Sequence, residues 1–248
     1  MKGRVFLAEW FEKVKADFVL NFINGDRWSL ILNGLWVTLK ITFIAIFIGI
    51  AIGVVLATIR STYDMTRDEN RSGLKQYVMT FLNAIAKIYL TVIRGTPVVL
   101  QLLIIYFVIF ASSDNGVLIA ALAFGINSGA YVAEIIRGGI MSIDRGQMEA
   151  GRSLGFNYFE TMRYIIIPQA FKNVLPALAN EFIALLKETS VAGYVAVQDL
   201  TRAGNIIRSK TYSAFMPLIA VALIYLAMVM VLTYFVGVLE RRLRNSER

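Results

Sequence analysis

The stretch EAGRSLGFNYFETMRYIIIP, residues 149–168, is polar and charged and lies between hydrophobic runs of the chain. Glycines stand at positions 151 and 155, and Pro168 closes the stretch. Because charged side chains are costly inside a lipid bilayer, this segment is expected to lie outside the membrane.

Apolar residues are scattered among the charged ones in and just before this stretch: Met148, Leu154, Phe156, Phe159 and Met162. Short helices joined near Gly151 and Gly155 would place these side chains on one ridge with charges around it, which is the form of a docking surface. An ordinary loop helix resting on the membrane would fit the same spacing. Gly155 offers a position where the backbone can turn with a positive φ. Pro168 suits the first turn of the helix that follows.

The composition is that of an integral membrane protein. Apolar residues make up 57% of the 248 residues and charged residues 17%, more apolar than an ordinary soluble domain. The formal net charge is +8, but the basic residues stand between apolar runs, which fits the positive-inside tendency better than nucleic-acid binding. The chain contains no cysteine and no histidine. Disulfides, thiol nucleophiles, imidazole bases and the usual zinc ligands are therefore excluded.

Five apolar stretches are long enough to cross a bilayer core of about 30 Å, which requires roughly 20 helical residues. They are residues 30–59, 77–110, 117–136, 169–189 and 215–239. The second stretch contains Gly95 and Pro97, so we expect it to bend near its middle. The sequence thus predicts an all-α protein with a transmembrane domain over residues 30–239, a cytoplasmic loop over 137–168 and a basic cytoplasmic tail over 240–248.

The basic residues indicate the orientation of these spans. Positive charges are concentrated in the connections 60–75 and 137–172 and in the C-terminal tail: Arg60, Arg67, Arg71, Lys75, Arg137, Arg145, Arg152, Arg163, Lys172, Arg241, Arg242, Arg244 and Arg248. The short connection 111–116 has none. The positive-inside tendency therefore favours a cytoplasmic C terminus and an external N terminus. Basic residues in segments 1–29 and 190–214 weaken this inference.

The N-terminal segment 1–29 is predicted to contain an amphipathic helix. Aromatic and aliphatic residues recur at fourfold spacing, with charged residues mostly between them: Phe6, Trp10, Val14, Phe18 and Phe22. This pattern predicts a helix that lies in the membrane interface, with packing against another part of a complex as the alternative.

Polar and ionisable residues fall within or at the ends of the second, third and fourth spans: Arg94, Gln101, Asn127, Tyr131, Glu134, Asn180, Glu181, Lys187 and Glu188. An ionisable residue inside a membrane helix is a candidate functional residue because of its cost in lipid. Glu181 and Glu188 are seven residues apart, so they lie on one face of a helix, about 10 Å apart along its axis. One side of the fourth span is thus polar, as the wall of a cavity would be.

Each of these residues also has a structural interpretation. Arg94 is equally explained as an ion-pair partner of Glu134 or Glu181, and Asn127 and Tyr131 as interhelical hydrogen-bonding residues. Lys187 and Glu188 are candidates for an external gate or for contact with an external partner. Glu181 is the best candidate for contacting a cationic group of a solute.

Between about Ile93 and Leu200 the chain resembles the permeases of ABC importers for polar amino acids, the histidine and glutamine permease family. The matching segments are RGTPVVLQL at 94–102, GAYVAEIIRGGI at 129–140, GQMEAGRSLG at 146–155, IIIPQAFKNVLPALANEFIALLKETS at 165–190 and DLTRAG at 199–204. Residues 149–168 are similar to the EAA loop of that family. Gly151 replaces the second alanine of the EAA pattern, Ile167 stands where leucine is usual, and GYVAV at 193–197 departs from the family's segment.

The resemblance implies that this loop docks its short helices in a cleft of an ABC ATPase subunit. Glu149 would be the ion-pairing anchor, Gly155 the turn, and Ala150 and Leu154 the packing residues, with Gly151 in the same contact. It also implies the type I importer fold and a multi-pass location in the bacterial plasma membrane. We expect that Glu149→Lys uncouples ATP hydrolysis from uptake.

The resemblance further implies a larger complex. The chain contains no glycine-rich phosphate loop followed by GK[ST], so ATP and Mg²⁺ are expected in two partner ATPase subunits and no cofactor in this chain. One loop per chain requires two permease chains, and a homodimer is the first choice. An external solute-binding protein would deliver a small polar amino acid. Two other classes stay open: a self-contained secondary transporter, against which the lack of evident internal repeats argues, and an intramembrane enzyme that uses Ser and Lys.

Overall fold

The computed structural model describes residues 2–66 and 73–245, and these residues are almost entirely helical. Ten α-helices follow one another along the chain: α1 (Lys2–Phe18), α2 (Trp28–Thr66), α3 (Leu74–Gly95), α4 (Val98–Ile104), α5 (Gly116–Met141), α6 (Arg145–Ser153), α7 (Tyr158–Thr161), α8 (Ile167–Glu188), α9 (Leu200–Thr211) and α10 (Phe215–Asn245). No strand occurs in this part of the chain. The prediction of an all-α protein is confirmed. Arg67, Arg71 and Arg248, which entered the charge argument, lie outside the described residues.

Helices α2 and α5 form the centre of the fold. Small residues let the two backbones approach closely, as at many helix contacts in membranes. A Cβ atom on Gly49 would lie 3.1 Å from the Ser128 side chain, and one on Gly125 would lie 2.7 Å from the Ile48 side chain. The largest buried cluster gathers around this pair and includes Phe124, with Leu102 of α4 and Leu185 of α8.

The predicted bend in the second apolar stretch is confirmed as a break. Helix α3 ends at Gly95, and Thr96 is extended, with φ −121° and ψ 146°. Pro97 then precedes α4, which continues as a π-helical turn over Ile105–Ile109. The physical reason is local, because a residue before proline avoids the helical region and proline has no N–H to donate.

At one end of the molecule, α9 packs against the beginning of α2. The carboxylate of Asp199 caps α9 by accepting hydrogen bonds from the backbone N–H groups of Thr201 (3.0 Å) and Arg202 (3.1 Å). Gly34 of α2 permits this contact, because a Cβ there would lie 2.8 Å from the carbonyl oxygen of Asp199. Burial raises the pKa of the Asp199 carboxyl, and its hydrogen bonds oppose that shift.

The other end of the molecule carries α6 and α7. Tyr158 of α7 donates a hydrogen bond to Thr62, near the end of α2, with an oxygen-to-oxygen distance of 3.3 Å. Gly34 and Thr62 are 28 residues apart on one continuous helix, which corresponds to about 42 Å. Helix α2 therefore spans the molecule between the α9 end and the α6–α7 end.

Within residues 2–66 and 73–245, four helices are long and apolar enough to cross a membrane: Trp28–Thr66, Leu74–Gly95, Gly116–Met141 and Phe215–Leu243. The predicted fourth span corresponds to α8, which has 22 residues and is about 33 Å long. Helix α8 carries a polar stripe and is less apolar than the four helices named above. Its crossing of the membrane therefore stays a prediction. The helices also extend past the predicted domain limits, since α2 begins at Trp28 and α10 continues to Asn245.

The predicted N-terminal helix is present as α1, followed by a π-helical turn over Val19–Ile23. Trp10 and Phe11 are exposed, whereas Phe22 is buried against α9 and α10. The end of this segment is held by Asn21, which is fully buried and accepts a hydrogen bond from the Thr211 hydroxyl at 2.8 Å. Its location in a membrane interface stays a prediction.

Candidate functional site

The polar loop between α5 and α8 is an ordered structure with both of its short helices capped. Asp144 caps α6 by accepting from the backbone N–H of Gly146 at 2.7 Å. Helix α6 ends in a Schellman arrangement, in which Gly155 N–H donates to Arg152 and Phe156 N–H to Gly151. Gly155 has φ +88°, the left-handed conformation that glycine adopts without strain. The predicted turn at Gly155 is confirmed.

The expectation that Gly151 also joins two helices is wrong. Gly151 lies inside α6 and is buried. A Cβ at this position would lie 2.6 Å from Cγ2 and 2.9 Å from Oγ1 of Thr161. This glycine therefore permits close packing of α6 against α7, which gives a physical reason for the departure from alanine at this position.

Helix α7 passes without interruption into α8. Asn157 and Glu160 form a capping box, in which the Asn157 side chain accepts from the Glu160 N–H at 3.0 Å and the Glu160 carboxylate accepts from the Asn157 N–H at 2.8 Å. A π-helical turn over Met162–Ile166 connects α7 to α8. Pro168 lies in the first turn of α8, as the sequence predicts. The loop is thus joined to α8 by an unbroken run of helical turns.

The residues predicted to contact a partner lie on the surface of this loop, except Gly151, which is buried against Thr161 and is not available to a partner. Glu149 and Ala150 are exposed, and Leu154 and Phe159 expose 76% and 80% of their surface. The predicted apolar ridge is nevertheless divided. Met148 and Met162 are half-buried and pack on a small cluster formed by Ile140, Ile166 and Ala170. Leu154, Phe156 and Phe159 are therefore the exposed members of the ridge, and Phe156 is the least exposed of them at 38%.

Two of the predicted polar span residues contact each other. The Asn127 amide donates to Oε1 of Gln101 at 2.9 Å. The Gln101 amide in turn donates to the Ile93 carbonyl at 2.7 Å and to the Thr96 hydroxyl at 2.8 Å. Both side chains are buried. Gln101 satisfies carbonyl groups at the break after α3, and Asn127 satisfies the side-chain oxygen of Gln101, so their observed contacts are structural.

Arg94 has a different neighbour from the two that were predicted. Its guanidinium lies over the ring of Tyr131, 5.7 Å from the ring centroid, a cation–π distance. Within the described residues, Glu134 pairs instead with Arg60 at 3.7 Å and with Arg137 at 3.4 Å. The structural interpretation of Arg94 as an ion-pair partner of Glu134 or Glu181, one of two that the sequence left open, is therefore wrong. Helix α3 ends one residue after Arg94, and this sets its side chain against α5 at Tyr131.

Glu181 of α8 accepts a hydrogen bond from the hydroxyl of Ser128 of α5 at 2.7 Å. Ser128 is fully buried and lies at the close contact of α5 with Gly49 of α2. The sequence did not single out Ser128, although the neighbouring glycines at 125 and 129 mark the close helix contact. Farther along α8, Lys187 is exposed and Glu188 is half-buried.

The structure thus has two candidate functional regions: the loop that joins α5 to α8, and the polar face of α8. Comparison with known proteins identifies the class of protein. Residues 72–245 match a family described as "Binding-protein-dependent transport system inner membrane component". The chain belongs to this family.

Two named relatives are similar over most of their length. The arginine transport system permease protein ArtQ of Bacillus subtilis is 41% identical over 166 residues, which cover 66% of this chain and 76% of the relative. The glutamine transport system permease protein GlnP of Escherichia coli K12 is 41% identical over 166 residues, covering 65% and 76%.

Solved structures agree with this assignment. A crystal structure of an amino acid ABC transporter with histidines matches with a TM-score of 0.77 and 42% identity, over 89% of this chain and 98% of that one. The MetNI methionine ABC transporter in an inward-facing conformation matches with a TM-score of 0.73 at 18% identity, over 88% and 98%. The second likeness shows the shared fold alone. The chain is thus a permease component with the fold of type I ABC importers.

Proposed function

We propose that this chain is the membrane-spanning subunit of an ABC importer for polar amino acids, which moves its solute by alternating access. The observation that carries the proposal is the capped loop around Glu149–Gly155, which exposes Glu149, Ala150 and Leu154 and is continuous with the helix that holds Glu181. Capping of both short helices fits this role, because a partner can transmit force only through an element that does not deform. The named relatives, which are permeases for arginine and for glutamine, support the amino-acid class.

ATP hydrolysis belongs to a partner in this proposal. Two ATPase subunits bind ATP and Mg²⁺ and dock on the loops of two permease chains. Glu149 is the ion-pairing anchor, and Ala150 and Leu154 provide the packing contact. An extracytoplasmic solute-binding protein delivers the solute at the α9 end. The N terminus is external and the C terminus cytoplasmic.

The polar face of α8 is proposed to line the solute path. Glu181 contacts the cationic group of the amino acid, and Ser128 orients the Glu181 carboxylate through its hydrogen bond. Lys187 and Glu188 lie one to two turns farther along the same helix, at its outer end. Arg94, Tyr131, Gln101 and Asn127 support the wall of this path from α3, α4 and α5 through the contacts described above.

Charge reversal at Glu149 tests the proposal. In vesicles that contain the permease, its ATPase and its binding protein, Glu149→Lys is expected to lower solute uptake by at least about tenfold, because truncating or reversing one partner of a close interfacial charge pair costs several kcal/mol. Uptake and ATP hydrolysis are measured on the same vesicles. Glu240→Lys is the matched control, since Glu240 is exposed near the end of α10 and outside the loop.

Undiminished uptake by the Glu149→Lys complex would contradict the proposed role of the loop. Purification provides an independent check. A homogeneous, transport-active preparation of this chain without any second polypeptide would instead favour a self-contained secondary transporter.

A further inference from the structure

Four charged side chains join the end of α2 to the end of α5. Arg137 donates from Nη1 to Oδ2 of Asp64 at 3.1 Å and from Nη2 to Oε2 of Glu134 at 3.4 Å. The second carboxylate oxygen of Glu134 pairs with Arg60 at 3.7 Å. These side chains are mostly shielded from solvent, with exposed fractions of 15% for Arg60 and 27–28% for the other three. We call Arg60, Asp64, Glu134 and Arg137 the charge cluster.

The charge cluster adjoins the polar loop through the last turn of α2. Tyr158 of α7 contacts Thr62 through its hydroxyl group and lies 3.9 Å from the sulfur of Met65. A cavity of about 260 Å³ separates this turn from α6, and its lining includes Asp64, Met65, Glu149 and Arg152. Asp64 thus belongs to the charge cluster and also faces the cavity behind Glu149.

The charge cluster is also connected to Glu181 of α8, through the packed helices α2 and α5. Helices α2 and α5 are in close contact at Gly49 and Gly125, so they move together as one packed pair. Ser128 lies at this contact and donates to Glu181. A displacement at the end of α2 and α5 therefore reaches Glu181 through Ser128, independently of the covalent connection from α7 to α8.

Three buried hydrogen-bonding groups in or next to the charge cluster have no partner among the described residues. The Nε atoms of Arg60 and Arg137 and the hydroxyl of Ser61 are buried without a hydrogen-bond partner among the described residues. Buried polar groups are nearly always paired, so such exceptions call for an explanation. A second arrangement of these side chains, in which the free donors are used, would make the charge cluster a two-state element.

We propose that the charge cluster is a positioning device that transmits displacement of the polar loop to α2 and α5, and through Ser128 to Glu181. Its residues contact neither ATP nor solute. The inference rests on the proposed function, since it assigns a second route for the same coupling. It predicts that weakening the charge cluster lowers the number of solutes moved per ATP while the ATPase still binds.

Charge-removing and conservative substitutions test this role. Asp64→Asn and Arg137→Gln are each expected to lower the ratio of solute imported to ATP hydrolysed by about threefold or more, a typical size for a coupling residue. The conservative variant Asp64→Glu, which keeps the carboxylate, is expected to retain at least half of the ratio. Asp114→Asn is the control, because Asp114 is exposed and lies between α4 and α5, away from the loop.

A ratio unchanged in both charge-removing variants would overturn the proposal. This outcome is distinguishable from a failure of the proposed function, because Glu149→Lys would still lower uptake by at least about tenfold. Failure of Glu149→Lys to reduce uptake would instead overturn the proposed function itself. The amount of ATPase that copurifies with each variant distinguishes a coupling defect from a loss of assembly.

A crosslink provides a test that does not depend on weakening the charge cluster. The chain has no cysteine, so Thr62→Cys and Tyr158→Cys create a single pair that a short bis-maleimide reagent can join. If the polar loop and the end of α2 move as one body, the crosslinked complex retains at least half of the uptake of the same variant before crosslinking. A crosslinked complex that binds ATP but no longer transports would show that the loop slides past α2 and would overturn the proposal.

Discussion

Glu181 is the residue that the proposed function assigns to the cationic group of the solute. Its carboxylate accepts from Ser128 at 2.7 Å, which joins α8 to α5 inside the bundle. A carboxylate at this depth is costly unless it is paired or serves a solute. The hydrogen bond uses one of its two oxygens and leaves the other for a cationic group.

Removal of the charge at Glu181 is expected to discriminate between solutes. Glu181→Gln should weaken stimulation of the complex by cationic amino acids by about tenfold to a hundredfold, since hydrogen bonds to charged groups contribute about 1.5–3 kcal/mol. The response to neutral amino acids should change much less. The measurement is ATPase stimulation by a panel of amino acids with the binding protein in reconstituted vesicles, with Glu12→Gln of α1 as the control. An equal loss for both classes of solute would remove Glu181 from solute recognition.

The two glycines of the polar loop show how the same residue type has two uses. Gly155 adopts a positive φ, as the sequence predicts for a glycine just after the end of a helix. Gly151 has an ordinary helical conformation and is needed because Thr161 approaches it. Only the packing of α7 on α6 distinguishes the second use from the first.

Among the elements, the pair of α2 and α5 determines how the other helices are arranged. Helix α2 contacts α9 at one end and α7 at the other, and α5 contacts α8 through Ser128 and α3 through Tyr131. The separation of these two helices is set by glycines, so their contact is sensitive to a single methyl group. That sensitivity can be measured without any assumption about transport.

Alanine substitutions at two glycines of α5 form a matched pair. A Cβ at Gly125 would lie 2.7 Å from Ile48 and 3.0 Å from the Ala45 carbonyl oxygen, whereas a Cβ at Gly138 meets nothing within 4 Å. We expect Gly125→Ala to destabilise the detergent-solubilised protein by about 1–3 kcal/mol through overpacking. Gly138→Ala should be neutral or slightly stabilising, because alanine favours helix by up to about 1 kcal/mol over glycine. Thermal unfolding followed by tryptophan fluorescence is the measurement, and equal stability of the two variants would contradict the close contact of α2 and α5.

At the scale of the whole molecule, part of the polar face of α8 is left uncovered by the rest of the chain. Asn180 and Lys187 are exposed on α8, where contact with lipid would be costly. A second copy of the chain facing this side of α8 would provide a polar, water-filled boundary. The proposed function, with one docking loop per chain and two ATPase subunits, leads to the same number of copies.

We therefore expect two copies of this chain and two ATPase subunits in the solubilised complex. Native mass spectrometry of the complex measures the stoichiometry directly. Two identical permease masses would agree with the homodimer. A second permease of different mass, present in equal amount, would contradict it.

Much of the functional organisation could be predicted because it depends on local properties. Hydropathy predicted the four long apolar helices α2, α3, α5 and α10, Pro97 predicted the break after α3, and the charges around Glu149 predicted the polar loop. The contacts of the polar span residues were harder to predict. An ion pair was one of two interpretations open for Arg94, and the guanidinium instead lies over the Tyr131 ring, a partner on another helix 37 residues away in sequence.

The sequence by itself determined the helical class, the break at Thr96, the turn at Gly155 and the position of Pro168 in the first turn of α8. Each follows from the conformational limits or the polarity of a few adjacent residues. Only the tertiary structure decided that Ser128 donates a hydrogen bond to Glu181, that Asn127 donates one to Gln101, and that four charged residues join α2 to α5. These partners are distant in sequence, and their meeting depends on helix rotation and crossing angle. Neither quantity is fixed by the local pattern of one helix, because both are set by the side chains of two packed helices together.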